Sequence, residues 1–138
     1  MKIHLKRIND AVHFEATNEA GNTLSIDGSP KVGGQNLGFR PMESLIAGLA
    51  GCSSIDICSI LSKQRQVVEN FEVDVQAERD PDHVPSLFTD IHLHVKLTGD
   101  LDPNKVERAV NLSLEKYCSV ARILEKTAKI TWSHEIIH

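Results

Sequence analysis

Along the first part of the chain, apolar residues fall on every second position. Ile3 and Leu5 alternate with Lys2, His4 and Lys6. Val12, Phe14 and Ala16 alternate with His13 and Glu15, and Leu24 and Ile26 lie between the turn pairs Gly21-Asn22 and Asp27-Gly28. Period-two alternation bounded by Gly and Asn predicts half-buried antiparallel strands. Residues 28–38, GSPKVGGQNLG, then read as a flexible connection, without the strand-to-helix context of a phosphate cradle. From Pro41 the period lengthens to that of a helix. Proline suits a first helical turn, and Glu43 puts negative charge near the positive end of the helix dipole. Between Glu43 and Lys63 the only charged residue is Asp56. A helix apolar nearly all round is a buried one, so residues 41–64 are expected to form the central helix of the fold.

Two further strands follow. Phe71, Val73, Val75 and Ala77 alternate with charged and amide residues, and Ile91, Leu93, Val95 and Leu97 alternate with His92, His94 and Lys96. Asp102-Pro103 reads as an N-cap and first helical residue, and Val106, Ala109, Val110 and Leu114 give that helix an apolar face. Tyr117-Cys118 is expected to bend or break it before a second segment carrying Val120, Ile123 and Leu124. A last strand holds Ile130, Trp132 and Ile136. The expected order is three strands, long helix, two strands, helical pair, strand: an α+β class with antiparallel sheet.

Composition narrows the function. A length of 138 residues fits one domain, taken as 1–138. The net charge of −4, with no basic block, argues against a nucleic-acid partner. The start, MKIHLKRIND, has no continuous apolar stretch of the secretory kind. Residues 45–61 are apolar but carry Ser53, Ser54, Asp56 and Ser59, so a core helix is expected rather than a membrane span. These readings lead to an expected cytoplasmic location, where three cysteines are more readily reduced or reactive than structural.

Each cysteine has its own setting. Cys52 sits on the apolar helix, where a thiol is often a small core hydrophobe. Cys118 sits near the start of a helical segment, which can lower a thiol pKa, with Arg122 four residues on to share its face. Cys58 is about 240° around the helix from Cys52 and reads as packing. Asp56 lies one turn after Cys52, where a carboxylate opposes thiolate formation. If buried it needs a partner, either an arginine or a backbone group to cap. His92 and His94 share a strand face with Lys96, which reads as a solvated surface rather than a metal site. With no CxxC and no HxxxH, no metal is expected, and no flavin or nicotinamide fingerprint is present.

Two segments, RPMESLIAGLAGCSSIDICSIL and LEKYCSVARILEKTAKI, together resemble the OsmC/Ohr family of thiol-dependent hydroperoxide reductases. The resemblance extends over nearly the whole chain, including the order of elements, and is strongest around the two cysteines, 66 positions apart. It implies an intertwined homodimer and a redox pair in which Cys52 attacks a hydroperoxide and Cys118 resolves the product. The partners so implied are a hydroperoxide substrate and an external dithiol or protein reductant, with no cofactor. In the family a glutamate follows the helix-opening proline and works with an arginine from the first strands. Here Met42 follows Pro41, and the carboxylate is displaced to Glu43. Arg7 and Arg40 are the only arginines before the long helix, outside the family's glycine-rich setting; Arg40 is the candidate partner of Glu43. These departures resemble a divergent OsmC-like subgroup. The alternative they leave is a redox-sensing or small-ligand-binding protein without strong peroxidase activity.

Overall fold

A computed structural model describes residues 1–138, which divide into two compact units, Met1–Leu45 and Ile46–His138. In the first unit β1 (Ile3–Arg7), β2 (Phe14–Asn18) and β3 (Thr23–Ile26) form an antiparallel sheet in sequence order. The Asn18 side chain accepts the Asn22 N–H at 2.9 Å, and Gly21 takes a positive φ of 87°, which together close the β2–β3 turn. β1 is an edge strand whose Ile3 and Leu5 remain 63% and 53% exposed. Alternation predicts half-burial there. A sheet of three short strands cannot cover its own apolar side chains.

The glycine-rich segment departs from expectation. It is folded around the buried carboxylate of Asp27, which accepts the backbone N–H groups of Gly28 at 2.7 Å, Gln35 at 3.1 Å and Leu37 at 3.1 Å. A Cβ at Gly34 would stand 1.7 Å from the Gly28 carbonyl oxygen, so glycine is required by close backbone approach. Ser25 reinforces the wrap, its hydroxyl donating to the Leu37 carbonyl at 3.0 Å.

The helix α1 (Pro41–Lys63) begins in the first unit and continues into the second. After it come β4 (Asn70–Arg79), β5 (Phe88–Thr98), α2 (Pro103–Leu112), a π-helical turn at Ser113–Tyr117, α3 (Ser119–Leu124) and β6 (Lys129–Ile137). The expected α+β order is reproduced element by element. β5 is the centre of the second sheet, pairing antiparallel with β4 and parallel with β6. The expected antiparallel pairing therefore holds for β4–β5 but not for β6, because the α2–α3 connection is long enough to carry the chain back for a parallel return. Ile91, Leu93, Val95 and Leu97 of β5 are fully buried, as are Val106, Ala109 and Val110 of α2. Asp102 caps α2 by accepting the Asn104 N–H at 2.9 Å, as expected. The Trp132 indole N–H donates to the Asn111 side chain at 2.7 Å and ties β6 to α2.

α1 has the type and span expected, but within one chain its burial is one-sided. Leu49, Ser53, Ile57 and Leu61, each four residues apart, form the fully buried stripe. Ile55 remains 72% exposed. By length and composition the helix equals a bilayer span, a property shared by core helices. The buried stripe and the hydrogen-bonded carboxylate of Asp56 fit a packed helix.

Candidate functional site

The site forms where α1 meets the break between α2 and α3. On α1, Cys52 and Asp56 are separated by four residues, one helical turn, and so share a face. Between them Ser53 is fully buried and returns its hydroxyl to the Leu49 carbonyl at 2.9 Å. On the other side, α2 ends in a π turn in which the Cys118 N–H donates to the Ser113 carbonyl at 2.7 Å. A π turn inserts one residue into the helical progression and redirects the chain beyond it. Cys118 then leaves the helix with extended backbone (φ −73°, ψ 107°) and becomes the N-cap of α3, its sulfur accepting the Ala121 N–H at 3.4 Å. The expected break at Tyr117-Cys118 is this π turn.

Ser113 joins the two sides. Its fully buried hydroxyl lies 3.2 Å from the Ser53 carbonyl and 3.3 Å from an Asp56 carboxylate oxygen, sharing one proton between two acceptors. The sulfurs of Cys52 and Cys118 and a carboxylate oxygen of Asp56 thereby converge within 4.8 Å of one another. Cys58 is exposed and outside this cluster. The partner of Asp56 is neither of those expected: it is a serine hydroxyl, drawn from 57 residues away. No local pattern marks Ser113, since only the tertiary fold brings it to Asp56.

The two cysteines differ in environment. Cys118 is 3% exposed, whereas Cys52 is half-buried. Burial pushes the Cys118 thiol up to about 11, against the opposing N–H groups of Ala121 and Val120, and the neighbouring Cys52 sulfur adds to the rise. The expectation that a helix start and Arg122 would lower this thiol is therefore corrected. Desolvation outweighs the two backbone donors, and the Arg122 guanidinium goes elsewhere, to the Glu125 carboxylate at 3.0 Å and the Glu115 carbonyl at 2.6 Å. Burial thus favours the protonated form of Cys118, and Cys52 is the more accessible of the two residues.

Arg40 and Glu43 lie at the start of α1, in the first unit. Glu43 accepts the backbone N–H of Arg40 at 2.8 Å, the return half of a capping box, and the Arg40 guanidinium lies 3.4 Å from the Asn36 side-chain oxygen. Glu43 thus has a structural task of its own. The carboxylate beside the cysteines is Asp56. His92 and His94 share hydrogen bonds with Thr131, Ser133 and Glu135 across the β5–β6 pairing, the polar sheet face expected of them.

A small α+β protein with a thiol pair borne on two helical elements is the class that this fold and site define. A family model for OsmC-like proteins matches residues 33–133, and the chain belongs to that family. Protein YhfA of Escherichia coli K12 is 42% identical over 132 residues, covering 93% of this chain and 92% of YhfA. A solved structure described as structural genomics is 40% identical, with a TM-score of 0.87 over 99% of this chain and 98% of its own. The organic hydroperoxide resistance protein OhrB of Bacillus subtilis is 21% identical with a TM-score of 0.67, covering 97% of this chain and 96% of its own. At that identity the likeness to OhrB is one of fold.

Proposed function

We propose that the protein is a thiol-dependent hydroperoxide reductase of the cytoplasm, acting in oxidative-stress defence. The observation that carries this reading is the convergence of Cys52 and Cys118, from segments 66 positions apart, to within 4.8 Å. Cys52, as thiolate, attacks the O–O bond of an organic hydroperoxide or hydrogen peroxide. It becomes a sulfenic acid, and the alkoxide or hydroxide leaving group takes up a proton. The Cys118 thiol then condenses with the sulfenic acid, forming a disulfide and releasing water. An external dithiol or protein reductant restores both thiols by exchange.

The division of roles follows from burial. The attacking sulfur must meet substrate, and Cys52 is the more exposed. The resolving sulfur needs only to meet Cys52, and a buried thiol that holds its proton is protected from direct oxidation. In this reading Glu43 fixes the start of α1 by accepting the Arg40 N–H. The protein acts as a homodimer: Ile55 at 72% exposure and Leu45 at 45% are apolar surface of α1 that a second chain would cover. A second reading, a redox sensor without strong turnover, is favoured by one observation. The Asp56 carboxyl group lies within 4.8 Å of both sulfurs, and a carboxylate is a poor neighbour for a thiolate nucleophile.

The test is turnover of cumene hydroperoxide with dithiothreitol. The wild type should consume peroxide, and Cys52→Ser should lower the rate by roughly 10³-fold or more, the scale of losing a nucleophile. Stoichiometric oxidation without turnover in the wild type would favour the sensor instead.

A further inference from the structure

A carboxylate is a poor companion for a thiolate, yet two sulfurs and a carboxylate oxygen meet here within 4.8 Å. That combination suits a cation. Zn²⁺ bonds thiolate sulfur at about 2.3 Å and carboxylate oxygen at about 2.0–2.2 Å in a tetrahedral arrangement. Ligand atoms on such an ion stand about 3.5–3.8 Å apart, so the cluster needs to contract by little more than about 1 Å. The ligands come from different elements: Cys52 and Asp56 from one turn of α1, Cys118 from the residue after the π turn. The buried Ser113 hydroxyl supplies the outer hydrogen bond that holds a ligating carboxylate in orientation. Asp56 also opens to solvent, in a groove of about 510 Å³ lined with Ser59, Ile60, Lys63, Gln64 and Tyr117.

We propose that the reduced chain binds one thiophilic divalent cation of the Zn²⁺ type through Cys52, Asp56 and Cys118. Two thiolates select such an ion over Mg²⁺ or Ca²⁺, and a fourth position is left for water or a small ligand. Occupancy and the disulfide exclude each other, because both use the same two sulfurs. If hydrogen peroxide oxidises the loaded site, the two thiolates give up two electrons and form one S–S bond. The peroxide takes those electrons and two protons to become two waters, and the cation leaves. Binding itself does not rest on peroxide turnover.

The experiment uses the whole 138-residue chain, reduced and chelator-treated, titrated anaerobically with Zn²⁺ against a chromophoric chelator and in parallel with Co²⁺. One equivalent should bind more tightly than about 1 μM. Co²⁺ should show near-ultraviolet sulfur-to-metal absorption of two thiolates. Cys52→Ser and Cys118→Ser should each weaken Zn²⁺ binding at least about 100-fold and Asp56→Asn about 10-fold or more, with Cys58→Ser unchanged. Peroxide-oxidised wild type should not bind. The inference is overturned if the folded wild type fails to bind, or if binding ignores Cys52 and Cys118 or follows Cys58. Should a variant fail to fold, the wild-type Co²⁺ spectrum decides: fewer than two thiolates overturns it. Peroxide turnover of metal-free protein, measured separately, shows whether the enzymatic reading stands or falls by itself.

Discussion

Two aspartates, one in each unit, are held in opposite ways. Asp27, at 1% exposure, is saturated by three backbone N–H groups from its own loop. Burial pushes its carboxyl up, but the bonds from Leu37, Gln35 and Gly28, with the nearby charge of His13, hold it below the ordinary 3.8. Asp56 is half-buried, receives one shared serine proton, and stands beside two sulfurs. A carboxylate fully supplied with donors has nothing left to offer and serves to shape a loop. One supplied with a single shared hydrogen bond keeps acceptor capacity beside two sulfurs. The first carboxylate serves its own loop; the second is free to take a further partner.

The comparison breaks most readily at Asp27. Asp27→Asn removes the charge and one of two equivalent acceptor oxygens, so at least one N–H of the loop loses its partner. The melting temperature should fall by about 5 °C or more in thermal denaturation. The pH dependence has a definite sign. A carboxyl held below its unfolded value stabilises the fold above that value, and the contribution is lost as pH falls from about 4 through the lower folded value. The wild type should lose stability along this acid limb, and Asp27→Asn should flatten it. Unchanged acid sensitivity in the variant would remove Asp27 from its architectural role.

A smaller effect is expected at Ser113. Ser113→Ala deletes the buried hydroxyl that serves the Ser53 carbonyl and Asp56, and should cost about 1 kcal/mol in urea denaturation. Smallest of all is Asp56→Asn, because an amide oxygen can still accept from Ser113. Stability should change by less than about 0.5 kcal/mol, while the rate of Cys52 alkylation changes clearly. A loss of stability as large as that at Asp27 would erase the distinction between the two regions. Cys118 sharpens it from the alkaline side. With its thiol at about 11, its alkylation by iodoacetamide should keep rising with pH beyond pH 9, about tenfold per unit.

The elements were legible because their signals are periodic. Alternation marked β4 and β5, proline and aspartate marked the helix starts, and the break before Cys118 was visible in the pattern. The burial of α1 was not, since an apolar helix does not reveal which of its faces one chain covers; the observed stripe is Leu49, Ser53, Ile57 and Leu61. The ordered loop at 28–38 was hidden because its glycines look alike whether they confer slack or permit the close approach seen at Gly34. The pairing of Cys52 and Cys118 was expected from resemblance to the family, and the convergence of their sulfurs now supports it geometrically. Asp56 stood out as a lone charge, but its partner did not, because Ser113 carries no local mark. The raised Cys118 thiol was hidden for a similar reason: a helix start, which can lower a thiol, is visible in sequence, whereas the desolvation that outweighs it is set by tertiary packing.

The central claim, that Cys52 and Cys118 act as one redox pair, is tested most directly by peptide mapping under non-reducing conditions. Reduced protein is treated with one equivalent of hydrogen peroxide and digested, and its linked peptides are identified by mass spectrometry. The expected product joins the peptides of Cys52 and Cys118, with Cys58 recovered as a free thiol. Recovery of Cys52 over-oxidised to the sulfinic acid with Cys118 still free, or of a bridge to Cys58, would contradict the account.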